Sequence, residues 1–136
     1  MPNISVFTCK YAGIVKRLQS RIYVCYGTGL IETDALWDTG ATITCISYDV
    51  VSKLKIPATG LMTVLTPSGS KDVSTYLVDI ILPNHIKISD VQVCGSDIGE
   101  QGLGVLIGMD IITQGDFILT NSDGKTAFTF KLQSIL

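Results

Sequence analysis

Residues 35–47 read "ALWDTGATITCIS", and the one carboxylate in that stretch, Asp38, stands between Leu36 and Trp37 on one side and Ala41 and Ile43 on the other. A carboxylate in such company is costly to bury unless it is hydrogen-bonded, metal-bound, neutralised or put to chemical use. The alternative is an exposed turn, because Asp and Gly are common turn residues. Other groups able to do chemistry are sparse. Cys9, Cys25, Cys45 and Cys94 are widely spaced without a C-x-x-C pair, and the chain has a single histidine, His85. This is not metal-ligand spacing, and a disulfide framework does not suit a chain so rich in apolar residues. Four reduced thiols in a reducing compartment are expected instead. Cys94 and His85 have the residue types of a nucleophile and its base, but nothing in the sequence brings them together.

The elements that must position Asp38 read as strands. With 136 residues, 46% of them hydrophobic and 16% charged, the chain can bury a core as one domain spanning 1–136. Ten Lys and Arg against twelve Asp and Glu leave a net charge of −2 without a basic patch, which argues against nucleic acid or an anionic membrane as partner. The start, "MPNISVFTCK", lacks a positive n-region followed by a long apolar stretch, and the most apolar run, "TYLVDIILP", is short and broken by Asp79. A soluble cytoplasmic protein with no membrane span is expected. "RIYVCY" and "LIETDALW" form a hairpin across "GTG". In "SYDVVSKLKI", Ser47 can cap a short helix whose apolar face is Val50, Val51 and Leu54, with Pro57 ending it. "LMTVLT" and "DVSTYLVDIIL" meet across "PSGSK" as a long hairpin over about 62–76, its tip small and polar. "HIKISDVQVCG" alternates, "VLIG" passes into the short helical run "MDII", and "DFILTN" and "TAFTFKL" flank a turn containing Asp123 and Gly124.

Taken together, apolar-apolar-Asp-Thr-Gly-Ala-Thr, a glycine-tipped hairpin and then "VLIGMDII" resemble, in order and spacing, the retropepsin-like aspartic proteases, the single-lobe relatives of pepsin. The resemblance runs from about Arg21 to the end and leaves residues 1–20 as an N-terminal extension or dimer-interface strand. It implies an all-β fold, a single-lobe closed β-barrel with a flap hairpin and one or two short helices. It also implies an aspartic endopeptidase, in which two carboxylates share one proton around a water that attacks the amide carbonyl. Only one Asp-Thr-Gly is present, so the resemblance implies a homodimer with Asp38 facing its own copy across a two-fold axis. A polypeptide is the implied substrate, and no cofactor or metal is called for.

The same resemblance assigns roles. Thr39 points its hydroxyl across the axis, Gly40 lets the substrate backbone approach, and Ala41 keeps the floor small with its backbone groups open to substrate. Thr42 completes the active-site loop. Ile107 and Gly108 lie beneath it as scaffold. Thr66, Pro67, Ser68, Gly69 and Ser70 form the flap tip that closes over substrate. There are departures too. The tip lacks the tyrosine of pepsin-like flaps and the double glycine of many viral ones. Thr42 and Met109 stand where the viral enzymes carry an aspartate and an arginine, so a hydroxyl or apolar contact is expected in place of that ion pair. Asp110 is expected to face the first turn of the helix, and Trp37 to pack in the core. "TAFTFKLQSIL" would expose an edge in a lone subunit, and terminal strands of two subunits, with "NISVFTC" joining them, are expected to cover it. The alternative reading is a non-catalytic dimeric peptide-binding or assembly module of the same fold.

Overall fold

The computed structural model describes residues 5–133. Its strands are β1 (Val6–Lys10), β2 (Gln19–Tyr26), β3 (Gly29–Trp37), β4 (Cys45–Ser47), β5 (Gly60–Thr66), β6 (Gly69–Leu82), β7 (Ile86–Ser96), β8 (Val105–Ile107), β9 (Gly115–Thr120) and β10 (Ala127–Leu132). Alternation in the sequence becomes burial: along β2, Ser20, Ile22 and Val24 face inward while Arg21 between them is exposed. The chain reverses at Gly27, whose φ of +58° suits a residue without a Cβ, and returns as β3 in an antiparallel pair.

From β3 the sheet continues through β8 (parallel), β4 (antiparallel), β7 (parallel) and β6 (antiparallel). β6 then pairs back onto β2, with Tyr23, Val24 and Cys25 opposite Ile81, Ile80 and Asp79. Six strands therefore close into a barrel, and closure removes two sheet edges. Its wall contributes Ile22, Val24, Ile46, Ile80, Val93, Val105 and Ile107 to the core, none more than 1% exposed. Burying each such side chain is worth about 1.5–3 kcal/mol.

Two short α-helices, α1 (Tyr48–Leu54) and α2 (Met109–Ile112), complete the fold. α1 begins at Ser47, whose side chain accepts a hydrogen bond from the Val50 N–H, and stops at Lys55 in the left-handed conformation. It ends two residues before Pro57, so the αL turn and not the proline terminates it.

β5 pairs only with the first part of β6, which makes the hairpin a projection from the barrel. The pairing of Thr66 with Gly69 leaves Pro67 and Ser68 as a two-residue turn, and Gly69 adopts a φ of +119° that L side chains rarely take.

The chain ends form a separate sheet in the order β1-β10-β9. The expectation of an exposed edge on β10 is corrected here: β1 covers one side of it and β9 the other within a single chain. The sheet turns Phe7, Phe128 and Phe130 onto Trp37, with ring centroids 5.2–5.5 Å from the indole for all three. Trp37 is 4% exposed, and its indole N–H donates to the Ser20 hydroxyl at 2.9 Å. It is a core residue, as expected. The other part of the expected terminal contact, Asn3 and Ile4 and the last three residues, lies outside the described residues.

Candidate active site

β3 delivers Asp38 to the end of the barrel. The Asp38 N–H donates to the Ile107 carbonyl at 2.8 Å, extending the β3–β8 pairing by one step past Trp37. The chain then folds tightly: the Gly40 N–H donates to Asp38 Oδ1 at 2.8 Å and the Ala41 N–H to the Asp38 carbonyl at 3.2 Å. One carboxylate oxygen is thus held by the backbone two residues on, an Asx turn in geometry. Asp38 is half-buried and, among the described residues, has no ion-pair partner. It opens onto a cavity of about 350 Å³ whose lining includes Leu18, Leu36, Trp37, Thr39 and Leu119.

The scaffold beneath the turn is close-fitting. A Cβ on Gly108 would lie 2.9 Å from both the Ala41 carbonyl oxygen and the Ile43 backbone carbon, so only glycine lets β8 pass under the loop. A Cβ on Gly40 would stand 3.1 Å from Asp38 Oδ1. Ile107 is fully buried. The Ala41 backbone is engaged within the chain: its N–H is used in the turn and its carbonyl accepts the Met109 N–H at 2.8 Å, which leaves that carbonyl a second lone pair.

Thr39 and Thr42 are exposed on this loop. The anchoring that the sequence suggested around Thr42 and Met109 is made two positions along the chain, by Thr44. Its backbone N–H donates to Asp110 Oδ2 at 3.0 Å and its hydroxyl to Asp110 Oδ1 at 2.7 Å, while the same hydroxyl accepts the Gly108 N–H at 3.2 Å. Asp110 also accepts the Ile111 N–H at 3.0 Å, facing the first turn of α2 as expected. Thr44 was missed as a functional residue, although a hydroxyl at an inward position of "ATITCI" is itself a signal that a buried partner waits for it.

The flap tip residues Thr66, Pro67, Ser68, Gly69 and Ser70 are all exposed, and the Thr66 hydroxyl fastens the turn by donating to the Gly69 carbonyl at 2.8 Å. Under the base of the flap, a cavity of about 340 Å³ is lined by Met62 together with Ile43, Gln92 and Asp110. Beside it, burial pushes the Cys45 thiol up to about 11, with Cys94, Asp110 and Asp38 adding in that order. Cys94 is raised as well, by burial and then by Asp110. His85 lies in an exposed turn at the start of β7 and Cys94 is buried near its other end, on the order of 30 Å away by strand rise. The two do not form a dyad. Among the described residues no helix is long and apolar enough to cross a membrane.

A sequence profile described as aspartyl protease matches residues 23–111, which contain the Asp38 loop, the flap and the β8–α2 junction. No curated protein matches the chain. Solved structures that share its fold include two proteases. A retropepsin-like aspartic protease from Rickettsia conorii superposes with a TM-score of 0.63 at 12% identity, covering 98% of both chains. The simian foamy virus (mac) protease, a solution structure, gives 0.52 at 21% identity over 71% of this chain and 92% of its own.

Proposed function

This chain belongs to the aspartyl protease family, and on that premise we propose that it is an aspartic endopeptidase working through Asp38 and the Asp38 of a second copy. The observation that carries the proposal is the Asp38 turn itself: a half-buried carboxylate in a cavity, one oxygen held by the Gly40 N–H and the loop pinned from below through Ile107, Gly108 and Thr44. A carboxylate held this rigidly needs no reorganisation when charge develops next to it.

A single carboxylate cannot both remove a proton from water and deliver one to the amide oxygen. Two copies related by a two-fold axis supply the pair, one ionised as base and one protonated as acid, with no second motif in the chain. The water attacks the carbonyl carbon, the base takes its proton and the acid protonates the developing oxyanion; the first carboxyl then passes its proton to the amide nitrogen, the second takes one back from a hydroxyl of the tetrahedral intermediate, and the C–N bond breaks. The polypeptide lies extended between flap and floor, and the flap excludes bulk water. The dimer face that fits this arrangement is β9: it is one of the two outer strands of the terminal sheet, Ile118 and Leu119 on it are 54% and 50% exposed, and Leu119 lines the same cavity as Asp38.

The test is a mixed peptide library incubated with the chain and with its Asp38→Asn form. Internal cuts by the first and none by the second are expected. Equal cutting by both would remove Asp38 from the mechanism. Retention of peptides without any cutting would favour the dimeric peptide-binding module.

A further inference from the structure

Where the flap joins the barrel, a sulfur from β5 meets one from β7, and the strand neighbour of the second is a cysteine on β4. Cys45 and Cys94 are register partners on the parallel pair β4–β7, which places their side chains on one face of the wall. Met62 reaches in from β5, and its Sδ lies 3.6 Å from Cys94 Sγ. The only hydrogen-bond contact of the Cys45 thiol among the described residues is a long one, 3.7 Å to the Ile43 carbonyl. Such a weak donor is readily given up. Met62 and Ile43 both line the cavity below the flap.

We propose that Cys45, Cys94 and Met62 form a copper(I) site that joins the base of the flap to the barrel wall. Two sulfurs bound to one ion at about 2.3 Å each stand about 4 Å apart at the 120° of a three-ligand site. The Cys94–Met62 pair is already within a few tenths of an ångström of that spacing. The ligand set selects the ion: thiolate and thioether are soft, and sulfur-only sets favour copper(I), whereas zinc takes Cys, His and carboxylate. Among the described residues no group of three His, Cys, Asp or Glu could hold a metal, and the proposed site takes its third ligand from the Met62 thioether. Two S–H bonds break and two Cu–S bonds form, both protons pass to solvent, and copper stays in the +1 state. Because Met62 belongs to the flap hairpin and Cys45 to the strand after the Asp38 loop, the bound ion restrains the flap at its hinge end.

The experiment is an anaerobic competition between the reduced full chain, supplied with acetonitrile-stabilised copper(I), and the chromophoric chelator bicinchoninate. Wild type and a Cys9→Ser/Cys25→Ser form should each withdraw one equivalent. Cys45→Ser and Cys94→Ala should bind at least 100-fold more weakly, and Met62→Leu about tenfold. The Met62→Leu arm guards against misfolding, since Leu conserves volume, and its circular dichroism should match wild type. Copper left wholly with the chelator by wild type overturns the site. So does loss of the equivalent in the Cys9/Cys25 form, or its retention in Cys94→Ala. None of these readouts depends on proteolysis.

Discussion

Thr44 and Asp110 are 66 residues apart in sequence and meet twice, the threonine N–H on one carboxylate oxygen and its hydroxyl on the other. Thr44 is fully buried, and the same hydroxyl receives the Gly108 N–H, so one side chain ties the strand after the Asp38 loop to the start of α2.

Replacing Thr44 with Val keeps the shape and removes both hydroxyl bonds. Asp110 loses its shortest donor and the Gly108 N–H loses its acceptor, which should cost about 1–3 kcal/mol. Urea unfolding measures the cost, and peptide cleavage should fall as the loop loosens. Thr44→Ser, which keeps the hydroxyl, should recover most of both; equal damage from Ser and Val would assign the effect to packing alone.

Gly108→Ala adds one methyl group where the nearest atoms are backbone of residues 41 and 43, which cannot swing aside as a flexible side chain can. A loss of about 1–3 kcal/mol is expected, together with a larger loss of cleavage than Thr44→Val gives, because the loop that carries Asp38 must move. A Gly108→Ala chain with wild-type melting temperature and turnover would mean that the loop yields without consequence.

The Cys45 thiol, pushed up to about 11 from an ordinary 9.0, favours the folded chain while it is protonated. Its contribution is complete below pH 9, where both folded and unfolded thiols keep the proton. It is lost between pH 9 and 11, as the unfolded form ionises and the folded one resists. Urea midpoints should fall over that range, and the fall should be shallower in Cys45→Ala. Parallel slopes in the two chains would show that Cys45 ionises no differently on folding.

Placing aspartates at Ile118 and Leu119 tests β9 as the dimer face. Both side chains are half-exposed in one chain, so the double variant should keep its circular dichroism while sedimenting as a monomer and cutting no peptide. A dimer of wild-type affinity would move the interface elsewhere. Deletion from residue 126 onward is the less informative experiment. It removes the middle strand of the terminal sheet and the fully buried Phe128 and Phe130, and should unfold the chain before association can be measured.

Local features were legible in the sequence. The "GTG" hairpin, the Ser47 cap, the flap and the Asp123–Gly124 turn follow from period-two alternation and from residues that prefer one backbone geometry. Asp38 stood out because of its apolar neighbours. What the sequence did not show was pairing between distant segments. Nothing near Tyr23 announces Ile81 as its partner, and nothing in "VFTCK" says that β1 lies against β10 rather than against another subunit. Both depend on how the whole barrel closes. Thr44 was overlooked for the same reason: its partners are the carboxylate of Asp110 and the amide of Gly108, more than sixty residues away.

β6 is a single 14-residue strand with two different lives. Toward Gly69 it has only β5 for company; from Thr75 it is held by β7, and between Asp79 and Ile81 by β2 as well. The changeover falls at Thr75, whose carbonyl accepts the Thr59 N–H at 2.8 Å and whose hydroxyl shares a hydrogen bond with the Thr59 hydroxyl at 2.9 Å. Amide protons along one uninterrupted strand therefore keep two clocks. Those near the tip exchange with solvent whenever the hairpin lifts, while those beyond Thr75 wait for the barrel itself to come apart.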